Sequence, residues 1–113
     1  MRYALLVCED ETVAVSPEER ARRFAGFAAF IDEALARGAL IGGERLQPSP
    51  TATTVRRRDG GLIVADGPFA ETREQIGGLF IVDCRDLDEA IDLAARLPAA
   101  HYGTVEVRPL REA

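Results

Sequence analysis

The chain has 113 residues, of which 47% are apolar and 29% charged, a balance typical of a globular protein rather than a disordered one. This length suits one hydrophobic core and is too short for two, so we predict a single domain spanning residues 1–113. The net charge of −5 disfavours a nucleic-acid partner, because phosphate binding needs a surplus of Lys and Arg on one face. The sequence has such a cluster only at Arg56, Arg57 and Arg58.

Two further features bear on location and cofactors. No apolar run approaches the roughly 18 residues that cross a bilayer, and the apolar start from Tyr3 to Cys8 leads into acidic residues without a cleavage site. The cysteines, Cys8 and Cys84, are too few for a disulfide framework and lack the paired spacing of a zinc site. We expect a soluble, cytoplasmic protein away from membranes, and without a metal or nucleotide motif we expect no cofactor.

The first half of the chain predicts a strand, a long helix and a second strand. Tyr3 to Cys8 are apolar on both faces, as in a central strand. Ser16 as N-cap, followed by Pro17 and Glu19, begins a helix that Gly38 ends. The expected apolar stripe of this helix is Phe24, Phe27, Ala28, Ile31 and Leu35. Ala39 to Gly43 then predict a short strand.

A β-hairpin follows the loop marked by Pro48 and Pro50. Its strands are Thr51 to Arg58 and Leu62 to Ala65, joined through Asp59-Gly60-Gly61. The three arginines lie on this hairpin. They indicate either a solvated edge strand that its charge protects from aggregation or an anion site.

The second half begins with a turn at Asp66-Gly67-Pro68-Phe69, after which Ala70 to Ile76 predict about two turns of helix. Gly77-Gly78 are expected to end that helix. Leu79 to Cys84 form another strand that is apolar on both faces. Asp86 begins a second long helix, Pro98 stops it, and Thr104 to Arg108 predict the last strand. The expected stripe of the second helix is Leu87, Ala90, Ile91, Ala94 and Leu97.

This order of elements predicts an α+β fold of the ferredoxin-like kind, an antiparallel sheet with both main helices on one face. The central strands nevertheless carry apolar residues on both sides, and the chain has no further helix to cover the second face. A second subunit that packs sheet against sheet is the simplest cover, so we predict a homodimer. A monomer with an exposed groove is the competing prediction.

The run from Ala65 to Phe80, which contains Asp66-Gly67-Pro68-Phe69, resembles the signature of the YCII-related family in its DGPF branch. Similarity continues outside that run, at Thr51 to Arg56, Asp86 to Ala90 and Val105 to Pro109. The resemblance implies a ferredoxin-like fold that pairs into a dimeric α-β barrel. Relatives in the wider superfamily include muconolactone isomerases, small monooxygenases and a dehydrochlorinase, which act in the cleft between sheet and helices.

The signature turn holds the candidate site residues. Asp66 is a candidate general base with Glu71 as a second carboxylate, and Gly67 and Pro68 are candidate ligand contacts. The structural alternative is that Asp66 accepts hydrogen bonds from its own turn while Glu71 flanks a helix. Phe69 is either a plug on the core or a platform for a ligand.

Other candidates lie near the end of the chain. His101, the single histidine, is expected in an exposed loop and is a weak candidate acid or base. Some YCII proteins pair a histidine near the first helix with an aspartate, and the absence of a histidine there weakens a hydrolytic or dehydrochlorinating role. Glu106 and Arg108 are expected on the dimer face, as an ion pair or as a site for an acidic ligand. Cys8 and Cys84 are expected to be close neighbours on parallel strands, as inert thiols or as a redox pair.

Two functions of different classes fit this sequence. The first is a homodimeric small-molecule-binding protein, or a cofactor-independent enzyme, whose cleft is lined by Asp66, Phe69, Glu71 and Arg108. The second is a regulatory or accessory protein that contacts a protein partner through the signature loop. The second rests on a resemblance to accessory proteins encoded beside extracytoplasmic-function sigma factors.

Overall fold

A computed structural model describes residues 1–112 as a sheet layer packed under a helix layer, with a separate two-stranded hairpin. The strands are β1 Arg2–Glu9, β2 Leu40–Arg45, β3 Thr53–Arg58, β4 Gly61–Asp66, β5 Gln75–Asp83 and β6 Thr104–Pro109. The α-helices are α1 Pro17–Ala36, α2 Leu87–Ala95 and α3 Ala99–Tyr102, with a turn of 3₁₀ helix at Ser49–Thr51. Within residues 1–112 we find no helix that is long and apolar enough to span a bilayer.

The main sheet has four strands in the order β2-β5-β1-β6, and every neighbouring pair is antiparallel. Helix α1 connects β1 to β2, and helices α2 and α3 connect β5 to β6, so each connection with a helix joins two strands that are not neighbours in the sheet. This is consistent with the predicted ferredoxin-like arrangement of two split β-α-β units. The hairpin β3-β4 forms a sheet of its own between the two halves.

The core lies between the helices and one face of the sheet. Alternate residues of β1, Tyr3, Leu5 and Val7, are buried on this side together with Phe80 and Val82 of β5. The helices contribute Phe30 and Ala34 from α1 and Ala90, Leu93, Ala94 and Leu97 around α2. Both main helices therefore cover the same face of the sheet, as predicted.

The predicted helix starts are confirmed by their hydrogen bonds. The Ser16 hydroxyl accepts from the amide of Glu19 at 3.1 Å, and the Asp86 carboxylate accepts from the amide of Glu89 at 2.9 Å. After α1, Gly38 has φ 68, and the amide of Ala39 donates to the Ala34 carbonyl at 2.9 Å. This bond and the left-handed Gly38 form the expected glycine-terminated helix end.

The predicted helix stripes are wrong at several positions. On α1, Phe24 and Leu35 are exposed, whereas Phe30, outside the predicted stripe, is 2% exposed and packs on the Phe80 ring with centroids 4.8 Å apart. The stripe is rotated because Phe30 and Ala34 face Phe80, with Phe27 and Ile31 partly buried beside them.

A similar rotation applies to α2. Leu87 and Ile91 are half exposed, while Leu93, which the predicted stripe omits, is fully buried.

The helix predicted over Ala70 to Ile76 is absent: β5 begins at Gln75 after a bent segment. The Gln75 side-chain amide donates to the carbonyls of Ala70 and Thr72, both at 2.9 Å, which favours the bend over a helix. Gln75 and Ile76 then pair with Glu9 and Cys8 of β1. Gly77-Gly78 accordingly lie inside a strand instead of ending a helix.

The hairpin forms at the predicted position, although Gly61 belongs to β4 rather than to the predicted Asp59-Gly60-Gly61 connection. Asp59 and Gly60 both have positive φ, at 52 and 76, and Arg58 pairs with Gly61 across the turn. This is the two-residue turn that Asp-Gly favours. All six residues of β4 are exposed, and five of the six in β3. The hairpin therefore extends away from the core.

The rotated stripe of α1 can be tested with two phenylalanines of the same helix. Phe30→Ala should lower the free energy of unfolding by about 3–5 kcal/mol, because it leaves a cavity against Phe80. Phe24→Ala, at a position that is 68% exposed, should change it by less than about 0.5 kcal/mol. Urea unfolding followed by circular dichroism measures both, and equal losses would show that the assigned face of α1 is wrong.

Candidate functional site

The signature turn is fastened to the base of the hairpin. Asp66 ends β4 opposite Thr53, and the amide of Gly67 donates to the Ala52 carbonyl at 2.7 Å. Gly67 has φ 94, a conformation that its glycine identity makes accessible. The structural interpretation of Asp66 expected its carboxylate to accept hydrogen bonds from amides of the turn. The Gly67 amide is not one of these donors, because it donates to the Ala52 carbonyl. Gly67 and Pro68 are half-buried.

Phe69 projects from this turn into solvent. Its side chain is 80% exposed, so the interpretation of Phe69 as a plug on its own core is wrong. The guanidinium carbon of Arg56 lies 5.2 Å from the centroid of the Phe69 ring, within cation-π range. The residue is therefore held by the hairpin rather than by the core.

An open groove of about 540 Å³ lies beside Phe69. It is lined by Thr54, Val55, Arg56, Arg57, Arg58 and Phe69. Within residues 1–112, none of these arginines forms an ion pair with a carboxylate, and the Arg58 guanidinium instead donates to the Arg57 carbonyl at 3.0 Å. The groove thus combines an aromatic ring with uncompensated positive charge, which suits an anionic ligand that has an apolar part.

The other residues predicted for this cleft lie outside the groove. Glu71 is exposed in the bent segment after the turn. Arg108 forms an ion pair with Glu106 on β6, the edge strand at the far side of the sheet from β2, which leads to the hairpin. One chain therefore does not bring Asp66, Phe69, Glu71 and Arg108 together, and their grouping in one cleft stays a prediction.

A second groove, of about 330 Å³, lies on the helix side. His101 belongs to it, because Ala99–Tyr102 form the short helix α3 where the sequence predicted an exposed loop. Pro98 favours that helix by fixing its own φ near the helical value. The groove is lined by Glu19, Arg22, Arg23, Gly26, Arg96, Pro98, His101 and Tyr102.

Arg23 organises this second groove. Its guanidinium lies 3.5 Å from the centre of the Tyr102 ring and forms ion pairs with Glu19 at 3.3 Å and Glu9 at 3.7 Å. Burial, and secondarily the nearby Glu9 carboxylate, raises the pKa of Tyr102 above its ordinary value.

The other arginines of the second groove are also compensated. Arg22 pairs with Glu19 at 2.6 Å and Arg96 with Asp92 at 3.3 Å. Since each arginine has a carboxylate, this groove is a charge network that links α1 to β1 and α3. Three of its ion pairs have the helical spacing i,i+3 or i,i+4, but the contacts of Arg23 with Glu9 and Tyr102 join distant parts of the sequence and leave no local pattern.

The two thiols are not neighbours. β1 and β5 are antiparallel, so Cys8 lies near one end of β1 while Cys84 bonds through its amide to Met1 at the other end. Seven residue steps of strand separate the two ends, roughly 20 Å. The expected proximity of the thiols, and with it a redox pair within one chain, is wrong. The described residues contain no group of three or more His, Cys, Asp or Glu side chains arranged to hold a metal ion.

Comparison with known proteins gives a family and one curated relative. The profile of the YCII-related domain matches residues 1–113. An uncharacterized protein of Rhizobium meliloti is 44% identical over 114 residues, covering 97% of this chain and 92% of that protein. Similarity of this extent covers both grooves and the signature turn.

The reactivity of the thiols provides a test of their placement. Burial, and secondarily Glu106 near Cys8 and Glu89 near Cys84, raise the pKa of both thiols, so alkylation by iodoacetamide should be slow at pH 7 and accelerate above pH 9. Cys8 should react before Cys84, which is 3% exposed. Peptide mapping of Cys8→Ser and Cys84→Ser variants measures each rate, and a Cys8–Cys84 disulfide within one oxidised chain would contradict the antiparallel placement.

Proposed function

Because the chain belongs to the YCII-related domain family, we propose that it is a cytoplasmic, homodimeric small-molecule-binding protein of the DGPF branch. The signature turn Asp66-Gly67-Pro68-Phe69 supports the branch. Two free cysteines, of which Cys84 is buried, support a reducing compartment. The ligand groove beside Phe69 is the proposed site of action.

The bare face of the four-stranded sheet supports the dimer. On this face Leu6 of β1 lies opposite Leu79 of β5, and Ala4 lies opposite Ile81. No helix of residues 1–112 packs on these side chains, which are only half-buried by their neighbours in the sheet. Two such faces packed together would bury aliphatic side chains from both copies and form the barrel that the family resemblance implies.

Charged side chains flank this apolar centre. Glu44 of β2 lies beside Leu79, and Glu106 and Arg108 of β6 lie beside Leu6 and Ala4. Carboxylates thus stand at both edges of the bare face and a guanidinium at one of them. A two-fold axis through the centre can set the Arg108 edge of one copy against an acidic edge of the other, which favours one register of packing.

The ligand class rests on the contact between Arg56 and Phe69. A guanidinium stacked on a ring presents a flat cationic and aromatic surface, and Arg57 and Arg58 add guanidinium groups that form no ion pair within residues 1–112. We therefore propose a small anion with an apolar or aromatic body as the ligand. Proton transfer by Asp66, with Glu71 as a second carboxylate and without a cofactor, stays a prediction for an enzymatic version of this function.

A second function is favoured by the exposure of the signature turn. Phe69 at 80% exposure, next to a hairpin that carries exposed aliphatic residues, is also a suitable contact for a protein partner. This is the accessory role, with a link to an extracytoplasmic-function sigma factor as its most specific form. Copurification of a small molecule distinguishes the two functions.

The dimer can be tested on the bare face of the sheet. Leu79→Glu should convert the protein to a monomer, because it places an unpaired charge in the centre of the proposed contact. Leu35→Glu, on an exposed part of α1, should leave the mass unchanged. Sedimentation velocity gives the mass, and circular dichroism confirms that both variants fold. A wild-type monomer at all concentrations would contradict the proposed dimer.

The ligand can be sought by native mass spectrometry of gently purified protein. A dimer that carries a discrete small molecule is expected, and Arg56→Gln or Phe69→Ala should lower its occupancy about tenfold or more, since each removes half of the stacked pair. Arg20→Gln, a matched loss of one exposed charge on α1, should retain the ligand.

Two outcomes would count against ligand binding at this groove. An empty dimer would favour the accessory function. A ligand whose occupancy falls equally in Arg56→Gln and Arg20→Gln would place the binding site elsewhere. Asp66→Ala adds the catalytic question: loss of ligand with an intact dimer assigns Asp66 to the site, and an unfolded product assigns it to the turn.

A further inference from the structure

The hairpin β3-β4, residues 53–66, forms an arm that the rest of residues 1–112 leaves uncovered. Its large aliphatic side chains are about half exposed or more: Val55 64%, Leu62 59%, Ile63 48% and Val64 59%. The Cα radius of gyration is 16.0 Å, and its extents are 48 × 43 × 18 Å, whereas a compact domain of this length has a radius of about 13 Å. The arm contributes to this extended shape.

Strand register divides the arm into two faces. Val55 pairs with Val64 and Arg57 with Leu62, so these four side chains share one face, which we call the aliphatic face. Arg56 pairs with Ile63 on the opposite face. Arg56 also contacts Phe69, whereas Val55 and Arg57 of the aliphatic face line the ligand groove as well, so the groove and the aliphatic face adjoin each other.

We propose that the aliphatic face of the arm docks on a second copy of this chain, so that each protomer of the dimer holds the arm of the other. This inference rests on the proposed dimer and deepens it. An isolated two-stranded hairpin is at best marginally stable in water, and this one has no cover from the part of the chain that the structure describes. A second copy supplies the missing apolar surface.

The area of the bare sheet face indicates that the sheets alone make a small interface. Four strands at about 4.8 Å spacing and six residues at about 3.3 Å give a flat extent of roughly 400 Å². The accessible surface of such a face exceeds its flat extent, and a stable interface takes about 800 Å² of accessible surface from each partner, so the sheet face lies at or below that size. The arm has two strands and the sheet has four, so one face of the arm has about half the flat extent of the sheet face. In the proposed dimer each copy docks its own arm on its partner and also contacts the partner's arm. Two arms therefore about double the contact.

Charge favours a second copy as the partner. The arm holds three arginines and two aspartates, so its net charge is +1. Since the net charge of the chain is −5, the rest of the chain carries −6. An arm that carries Arg57 among Val55, Val64 and Leu62 thus meets an acidic body when it contacts another copy. An unrelated acidic protein would match the charge alone, and the test separates the two.

The test is hydrogen exchange of the wild-type chain at a concentration where sedimentation shows a dimer. Amides of residues 53–66 should exchange at least about tenfold more slowly than in the Leu79→Glu monomer, because docking protects the hairpin. Val64→Glu should raise the dimer dissociation constant by about tenfold or more. Ile63→Glu, its neighbour on the other face, should raise it less than about threefold.

The outcomes separate this inference from the dimer itself. A dimer whose arm exchanges as fast as in the Leu79→Glu monomer overturns arm docking and leaves the sheet-to-sheet dimer intact. A wild-type monomer overturns both. An arm that is protected in the monomer, or equal effects of Val64→Glu and Ile63→Glu, overturns the assignment of the aliphatic face to a second copy. An arm that becomes protected only when an acidic protein is added also overturns the assignment of the aliphatic face to a second copy.

Discussion

The antiparallel pairing of β1 with β5 is the constraint on which the rest of the structure depends. Its register directs Leu5 and Phe80 to the helix side and Leu6 and Leu79 to the bare side. A slip of one residue would exchange the two sets, so the core and the proposed interface are fixed together. The edge strand β2 then fits only with a glycine at position 43, where a Cβ atom would lie 2.4 Å from the Phe80 ring.

The sequence predicted the elements whose signals are local. Capping residues, the Asp59-Gly60 turn and the two-faced central strands depend on a few neighbouring residues, and the structure agrees with them. The buried face of α1 could not be predicted from the residues of this helix alone. Apolar residues occur around much of this helix, and only the position of Phe80 in the sheet selects Phe30 over Phe24.

The errors at the candidate site have a similar origin. The helix predicted over Ala70 to Ile76 ignored the Gln75 side chain and the strand partners that β1 provides. The expected proximity of the cysteines requires parallel strands, whereas antiparallel pairing sends Cys8 and Cys84 to opposite ends of β1. Arg56 and Phe69 were both identified from the sequence, but their contact depends on how the turn after β4 folds back on the hairpin.

The arginines of the second groove and those of the hairpin differ in whether a carboxylate pairs with them. Arg22, Arg23 and Arg96 have carboxylate partners and hold helices in place, whereas Arg56, Arg57 and Arg58 have none within residues 1–112.

Uncompensated neighbouring charges repel each other, so the hairpin cluster gains stability when an anion or an acidic surface approaches. Strand alternation divides that cluster. Arg56 lies over Phe69 in the groove, and Arg57, which also lines the groove, lies with Leu62 on the aliphatic face. A ligand in the groove and a second copy on the arm would therefore each neutralise part of one cluster, and the ligand would be held next to a subunit boundary.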